Sequence, residues 1–243
     1  MPEPSAPHFR LQLATHLGAL HLNVDLALTA PWTVIFGPSG SGKSTILRAA
    51  CGLLPHAKIQ SSIATNGGRE ELDGHHHLPP HQRRLGYAPQ GAVLFPHLTA
   101  RENIAFPAAA HHDQAAIPRL TTTAIKLFDL ESLAARMPRD LSGGERQRVN
   151  LARAFAVPAP RMFLLDEPFT GVDRALRDAL LPRMQRHAAQ LGIPVLSVTH
   201  DVEEALMLGA EVIRLHDGAI VDQGPASQVL AGERARILQI LQP

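Results

Sequence analysis

Cysteine is nearly absent from this chain of 243 residues, which contains only Cys51. One cysteine cannot form a disulfide within the chain, and this composition is typical of a reducing compartment. Long apolar runs are absent too, because no stretch approaches the roughly 18 residues that a membrane-spanning helix needs. The N-terminus also lacks the pattern of a signal peptide. We therefore expect a cytosolic domain without disulfides or membrane spans.

An excess of one charge is also missing, since 23 Lys and Arg residues nearly balance 22 Asp and Glu residues. The formal net charge of +1 gives no support for nucleic-acid binding through bulk electrostatics. No internal repeat is found, so we expect one functional unit and not a fused pair. With 45% hydrophobic residues, the composition fits one large α/β domain with an inserted lobe.

The strongest motif lies near the N-terminus, where residues 37–45 satisfy the phosphate-binding pattern G-x-x-x-x-G-K-[ST]. An apolar, strand-like run at residues 34–36 precedes it and an amphipathic helical pattern follows, as the motif requires. In such a loop, backbone amides surround phosphate, the lysine reaches the β and γ groups, and the serine hydroxyl binds Mg²⁺. The residues predicted to bind nucleotide are Gly37, Pro38, Ser39, Gly40, Ser41, Gly42, Lys43, Ser44 and Thr45.

A second glycine-rich segment reads Leu141-Ser142-Gly143-Gly144-Glu145. Ser142 and Glu145 have the spacing of a helix capping box, which alone would explain these two residues. The two glycines are not explained by stability, because each costs up to about 1 kcal/mol compared with alanine in a helix. They expose amides at the positive end of a helix, where an anion can approach. We predict a second phosphate site at Ser142, Gly143, Gly144 and Glu145.

Two adjacent acids follow the apolar run at residues 162–165, which predicts a buried parallel strand. Carboxylates at the end of a buried strand are costly unless they have a chemical role. Asp166 suits an Mg²⁺ ion held mainly through water. Glu167 is then placed to act as the general base for an attacking water. A strand that simply emerges into solvent would explain the pair only in the absence of the phosphate loop.

Together, these motifs resemble the nucleotide-binding domain of ATP-binding cassette (ABC) proteins over nearly the whole chain. In the family's order, residues 37–45 match the Walker A loop and Gln90 the Q-loop. Leu141–Glu145 matches the signature and residues 163–167 match Walker B. Asp173 matches the D-loop and His200 the switch histidine. The resemblance implies an α/β P-loop NTPase (RecA-like) core, an N-terminal antiparallel β subdomain and an inserted α-helical signature subdomain. We assign residues 1–90 and 158–243 to the core with its β subdomain, and 91–157 to the helical subdomain.

The resemblance also implies an ATPase mechanism. Glu167, His200 and Gln90 are expected to be catalytic, and Ser44, Gln90 and Asp166 to hold Mg²⁺. Two copies are expected to bind ATP head to tail between one Walker A loop and the partner's signature, with Asp173 linking the two sites. The other implied partners are integral membrane permease subunits and, indirectly, a solute-binding protein. The chain would then lie at the cytoplasmic face of the inner membrane as a peripheral subunit.

Within the family, the chain is most similar to ATPases of bacterial oxyanion importers, especially molybdate importers. Two pairs of segments carry this similarity. The first pair is residues 83–87 and 94–99, and the second is residues 179–182 and 191–194. Sulfate, phosphate and iron remain open as solutes.

Residues 91–106 resemble the surface that binds a permease coupling helix, although burial of Phe95 and Leu98 in the lobe would explain these two apolar residues equally well. The chain departs from the pattern of this branch in two respects. Members of the branch often carry a small regulatory β domain at the C-terminus, which is not expected in a sequence that ends at Pro243. The family also usually stacks an aromatic residue on adenine, and no Tyr, Trp or Phe lies near His16. Trp32 is expected to be a packing residue.

Periodicity predicts the remaining elements coarsely. Residues 20–28 alternate as a half-buried strand of an antiparallel sheet. Helices are expected at residues 121–133 and 142–155, and parallel strands at 162–165 and 194–199. A hairpin is expected around Asp217-Gly218. Pro182 predicts a kink or a new start within a helix over residues 174–191.

Two alternatives from other classes stay open. A soluble ABC ATPase without a membrane partner, for example in iron–sulfur assembly, fits the length. A P-loop kinase is disfavoured because the signature and His200 would have no role. The histidines at 75–77 and His81 are expected to lie in a solvated loop and not in a metal site.

Overall fold

The computed structural model describes residues 9–18, 20–54, 58–65, 68–72, 78–111 and 114–241. The chain forms two compact units, Met1–Arg83 with Leu196–Pro243, and Arg84–Val195. Within the described ranges, no helix is both long and apolar enough to cross a membrane. The histidines at 75–77, which we expected in a solvated loop, lie outside the described residues.

The first unit contains a four-stranded antiparallel sheet in the order β2-β1-β4-β5. Its strands are β1 (Phe9–Leu17), β2 (Leu20–Leu28), β4 (Lys58–Thr65) and β5 (Gly68–Glu71). In β2, Leu22, Val24, Leu26 and Leu28 are buried and the residues between them are mostly exposed. This alternation is what one apolar face of a sheet requires, and it confirms the strand predicted at residues 20–28.

Around the phosphate loop, the first unit has strands in the order β10-β9-β3-β8. They are β3 (Trp32–Phe36), β8 (Val195–Thr199), β9 (Glu211–His216) and β10 (Ala219–Pro225). The helices are α1 (Lys43–Ala50), α6 (Val202–Met207), α7 (Ala226–Val229) and α8 (Ala231–Leu241). Strand β3 is parallel to β9, and β9 and β10 form the predicted hairpin. Its turn residues, Asp217 and Gly218, both have positive φ, as a tight hairpin turn requires.

The second unit combines two parallel strands with helices. Strands β6 (Leu85–Ala88) and β7 (Met162–Asp166) pair with each other. The helices are α2 (Ala100–Ala110), α3 (Ile117–Leu127), α4 (Gly143–Phe155) and α5 (Arg174–Leu191). In the described part of the chain between β6 and β7 there is no strand, as the sequence indicated. Phe155 of α4 stacks on Phe163 of β7 at a ring distance of 4.2 Å, which packs the helix on the strand pair.

Two helices differ from the expected ones. Helix α3 ends at Leu127, six residues earlier than predicted, because Asp129 has a left-handed φ of 50° that stops the helix. Residues Glu131–Leu133 form a separate 3-10 turn. Helix α5 runs from Arg174 to Leu191 with Pro182 inside it, so a new start at the proline is not observed. Burial of Leu180, Leu181, Met184 and Ala188 holds the helix on both sides of the proline.

Candidate functional site

The phosphate loop joins the end of β3 to the start of α1 in the first unit. The Lys43 side chain folds back into this loop, where its Nζ donates hydrogen bonds to the Gly37 and Pro38 carbonyls, both at 2.8 Å. Lys43 and Thr45 are buried, at 7% and 5% exposure. The loop therefore holds the ammonium group in the interior of the motif, from which a lysine reaches phosphate in loops of this sequence.

The loop also offers groups that suit an anion. The Ser41 side chain is 2% exposed, and its hydroxyl has no hydrogen-bond partner among the described residues. At Gly40, no atom lies within 4 Å of the place a Cβ would occupy. A buried hydroxyl without a partner is costly, and an oxygen-rich ligand would satisfy it. The residues present thus fit a phosphate group, and the Ser44 hydroxyl is of the kind that binds Mg²⁺ in such loops.

His200 follows β8 in the same unit and is exposed. The residue before it, Thr199, is buried and donates a hydrogen bond from Oγ1 to Glu204 Oε2 at 3.0 Å. The backbone N–H of Asp201 donates to the same Thr199 oxygen at 3.1 Å. The sequence predicted a role for His200 but not for Glu204. The one feature that could have indicated Glu204 is an acidic residue on the buried side of a short helix.

In the second unit, strand β7 is buried along its whole length and ends at Asp166, which is 2% exposed. Glu167 follows with a φ of 46°. This left-handed conformation is strained for a residue with a Cβ, and costs of about 1–3 kcal/mol are typical of functional positions. The turn after β7 therefore carries backbone strain at Glu167.

The Glu167 carboxylate accepts two hydrogen bonds. Gln90 Nε2 and Thr170 Oγ1 both donate to its Oε2, each at 3.2 Å. The structure thus brings together Gln90 and Glu167, two of the three residues predicted to be catalytic. Thr170 was not predicted, because nothing in the local pattern distinguishes it from an ordinary turn threonine.

Helix α4 holds the backbone of this turn through Gln147. Gln147 is 3% exposed, and its Nε2 donates to the Pro168 carbonyl at 3.0 Å and to the Glu167 carbonyl at 3.4 Å. The sequence reasoning missed Gln147 as well. Its signal was a polar residue on the buried face of a helix, which requires a partner.

The signature segment forms the start of α4 and contains the capping box that its spacing predicted. Glu145 N–H donates to Ser142 Oγ at 3.3 Å, and Ser142 N–H donates to Glu145 Oε2 at 2.7 Å. Hydrogen bonding to the Glu145 carboxylate, from the Ser142 backbone first and the Ser142 side chain second, holds the pKa of Glu145 below its usual value.

The two signature glycines have different surroundings. Nothing lies within 4 Å of a Cβ placed on Gly143, so its backbone is open to a ligand. A Cβ on Gly144 would lie 2.8 Å from the Gly171 carbonyl oxygen, so this position requires glycine for packing. We expected that the need to expose amides would explain the choice of glycine at both positions. It is a sufficient explanation only at Gly143, because Gly144 is also required by packing.

Asp173 lies at the N-terminus of α5. Its Oδ1 accepts hydrogen bonds from the N–H groups of Ala175 at 2.9 Å and Leu176 at 3.3 Å. The side chain is therefore an N-cap, a role that satisfies amides without an intrahelical partner. Its expected role in linking two sites remains a prediction.

Three apolar residues that are partly exposed, named here the apolar cluster, are Val93 and Phe95 in the loop after β6 and Phe106 in helix α2. Val93 is 65% exposed and Phe106 is 42% exposed, and the Phe95 and Phe106 rings lie 4.4 Å apart. Phe95 and Leu98 themselves are half-buried. The guanidinium of Arg153 lies 5.5 Å from the centre of the Phe95 ring and donates to the Val93 carbonyl at 2.6 Å. Burial lowers the pKa of Arg153.

Asn103 of α2 fixes the shape of this loop. It is fully buried, and its amide oxygen accepts from Phe95 N–H at 2.8 Å. Its amide nitrogen donates to the carbonyls of Phe95, Leu98 and Thr99 at 3.0–3.2 Å. One side chain thus bonds to backbone groups along the segment from Phe95 to Thr99, which restrains the conformation of this part of the loop.

Three further residues were discussed from the sequence. The His16 ring packs edge-on against that of His21, its partner across the β1–β2 pair, at 4.4 Å. Trp32 is 6% exposed and donates from Nε1 to Ser197 Oγ at 3.0 Å, which confirms the expected packing role. Cys51 is buried at the end of α1.

The fold and the phosphate loop define a P-loop nucleotide-binding protein. Residues 22–170 match the family described as ABC transporter. The chain belongs to this family.

Three relatives with named functions are similar to this chain. The Molybdenum import ATP-binding protein ModC of Rhodopseudomonas palustris is 37% identical over 92% of this chain and 59% of its own length. The Molybdate/tungstate import ATP-binding protein WtpC of Archaeoglobus fulgidus is 34% identical, over 96% of this chain and 93% of its own length. The Fe(3+) ions import ATP-binding protein FbpC of Pseudomonas fluorescens is 41% identical, over 79% of this chain and 53% of its own length. The chain therefore spans about three fifths of the ModC relative's length.

Among solved structures, a dimeric ATP-binding cassette in a post-hydrolysis state, bound to ADP and Pi, resembles this chain with a TM-score of 0.76. The two are 27% identical, and the match covers 90% of this chain and 98% of that one. The expected α/β P-loop fold is thereby confirmed.

Proposed function

We propose that the chain is the ATP-binding and ATP-hydrolysing subunit of an ABC importer that takes up molybdate or a related oxyanion. The observation that carries the ATPase activity is the Glu167 carboxylate, held by Gln90 and Thr170 directly after the buried Asp166. This arrangement presents one carboxylate for a metal and a second for a proton.

Each residue then has a defined task. Lys43 and the amides of the phosphate loop would bind the β- and γ-phosphates, and Ser44, Gln90 and Asp166 would supply oxygens for Mg²⁺. When bound, Mg²⁺ neutralises negative charge on the phosphate oxygens. Glu167 accepts a proton from the water that attacks the γ-phosphorus, while the bond to the β-phosphate oxygen breaks and ADP leaves. His200 orients the γ-phosphate and the water.

A second copy of the chain is the proposed partner at the signature. The open backbone at Gly143, at the positive end of α4, suits an anion that arrives from outside the chain. The similar solved cassette is a dimer. Ser142, Gly143, Gly144 and Glu145 would therefore contact the ATP that the partner copy holds on its own phosphate loop, and Asp173 would link the two ATP sites.

A permease subunit is the proposed partner at the cluster of Val93, Phe95 and Phe106. Exposed apolar groups that are rigidly held are typical of protein interfaces, and Asn103 holds this loop. The chain would bind there to a membrane protein at the cytoplasmic face of the inner membrane, and that protein would receive solute from a solute-binding protein.

The solute is assigned from the relatives. ModC and WtpC proteins are named for molybdenum or molybdate and tungstate import. The FbpC relative has the higher identity over a shorter match, which favours ferric iron as the second candidate.

The test uses the tagged Glu167→Gln chain, which should bind ATP and not hydrolyse it. With Mg-ATP, it should recover a polytopic membrane protein from detergent-solubilised native membranes. Val93→Asp in the same chain should abolish this recovery. Leu53→Asp, an exposed apolar residue of the first unit at 46% exposure, is the matched control and should not.

The recovered complex is then reconstituted in vesicles to compare molybdate with ferric iron uptake. Recovery of only soluble proteins would contradict the importer and favour the soluble ATPase. Brisk phosphate release by the Glu167→Gln chain would remove Glu167 from the role of base.

A further inference from the structure

The segment on both sides of His200 is fixed by one buried hydroxyl. Thr199 Oγ1 donates to Glu204 Oε2 at 3.0 Å and accepts from Asp201 N–H at 3.1 Å. Thr199 and Glu204 are each 3% exposed, whereas His200 between Thr199 and Asp201 is exposed. The hydroxyl therefore connects the last residue of β8, the residue after His200 and the first turn of α6.

We propose that Glu204, acting through Thr199, is a positioning residue that fixes the His200 imidazole for ATP hydrolysis. This inference rests on the proposed ATPase function. Glu204 does not need to touch ATP. It determines where the backbone at His200 lies, because the Thr199 side chain it binds belongs to the adjacent residue.

The N-terminal cap of α6 does not depend on the Thr199–Glu204 hydrogen bond. Asp201 Oδ1 accepts from the N–H groups of Glu203 at 2.8 Å and Glu204 at 3.2 Å, and so caps α6 by itself. The Thr199–Glu204 bond adds nothing to this cap, since its donor is a side chain of the strand. A buried carboxylate is costly to desolvate. Its hydrogen bond with Thr199 links β8 and α6 across His200.

The link has a kinetic consequence. A displacement of a catalytic group by about 1 Å can cost about 100-fold in rate. Loss of the Thr199 hydroxyl should therefore lower kcat by about 10- to 100-fold. The KM for ATP should change by less than about twofold, because neither Thr199 nor Glu204 belongs to the phosphate loop.

The first experiment compares Thr199→Val with Thr199→Ser in steady-state and single-turnover assays with labelled ATP. Valine has the shape of threonine without the hydroxyl, so it should show the loss in kcat. Serine keeps the hydroxyl and should restore most of the rate. Equal rates for the valine variant and the wild-type chain would overturn the proposal.

Removing the hydroxyl alone leaves the Glu204 carboxylate buried without this donor, which could unfold the chain. Thr199→Val combined with Glu204→Leu replaces both partners with apolar groups and is expected to be better tolerated. Thermal melting reports whether each variant is folded. The double variant should show the same loss in kcat as Thr199→Val.

A double-mutant cycle with His200→Ala separates positioning from general damage. Once the imidazole is gone, Thr199→Val should cause no further loss in the single-turnover rate. Rates that multiply in the cycle would show that Thr199 does not act through His200 and would overturn the proposal. A wild-type chain that releases no phosphate would instead contradict the proposed function itself.

Discussion

Helices α1 and α4 both begin at glycine-rich segments, but their first turns are satisfied in different ways. At α1 the N-cap is Gly42, with a φ of 101°, and no side chain in the described part of the chain caps it. At α4 the N-cap is Ser142, which forms a complete capping box with Glu145. Helix α1 has no acid in its first turn, whereas α4 has Glu145.

This difference indicates how the two anion sites share their task. Helix α1 begins without a side-chain cap from the described residues, and its first residue, Lys43, adds a full positive charge that suits an anion. The start of α4 already has a carboxylate of its own, which offsets part of the helix dipole. We therefore expect ATP to bind first to the phosphate loop of one copy, and the signature of a second copy to add a weaker contact.

Lys43→Ala should have the largest effect on this comparison. It removes the charged donor from the phosphate loop, and a hydrogen bond to a charged group contributes about 1.5–3 kcal/mol. The Kd of a single copy for ATP should rise by about 10- to 100-fold. Isothermal titration on dilute, monomeric protein measures this. Ser142→Ala under the same conditions should leave the Kd unchanged, and an equal loss in both variants would show that the two helix starts do not differ.

Gly144→Ala should have the next largest effect, on stability. The new Cβ would lie 2.8 Å from the Gly171 carbonyl oxygen, and overpacking of this kind costs about 1–3 kcal/mol. Gly143→Ala is the matched control, because it meets no atom within 4 Å. Urea unfolding of both variants decides the question. A Gly143 variant that is the less stable of the two would contradict the packing role of Gly144.

Ser142→Ala should lower the free energy of unfolding by about 1 kcal/mol, since it removes the hydroxyl half of the capping box. Gly42→Ala, at the N-cap of α1, should also destabilise the chain but for another reason, because it places a Cβ on left-handed backbone and removes no cap. The urea midpoints of both variants measure these losses of stability. A Ser142 variant as stable as the wild-type chain would mean that the cap does not stabilise α4.

The smallest effect concerns pH. Hydrogen bonds from Ser142 lower the pKa of Glu145 in the folded chain. A depressed carboxyl pKa contributes stability that is present above the unfolded pKa of about 4.3 and is lost as pH falls through the folded pKa. The stability advantage of the wild-type chain over Glu145→Gln should therefore shrink below about pH 4. An advantage that persists unchanged at pH 2 would contradict the capping carboxylate.

The sequence predicted best those features that depend on neighbouring residues. The phosphate loop, the capping box at Ser142 and the alternation in β2 each follow from short-range spacing. Gln147 could not be found in this way, because its partners are backbone carbonyls of the turn after β7. Asn103 and Glu204 lie near their partners in the sequence, but those bonds depend on the conformation of the segment in between, which spacing does not specify. The early end of α3 depends on one left-handed residue, Asp129, and propensities do not specify such a residue.

Cys51 has a practical consequence. It is the only thiol in the chain, it is 5% exposed, and burial raises its pKa to about 12. Since the thiolate is the reactive form, alkylating reagents and maleimide dyes should leave this residue untouched at neutral pH. A cysteine introduced at Val93 or Gly143 would then be the sole labelled position, so spin labels or fluorophores can be attached without first removing a native residue.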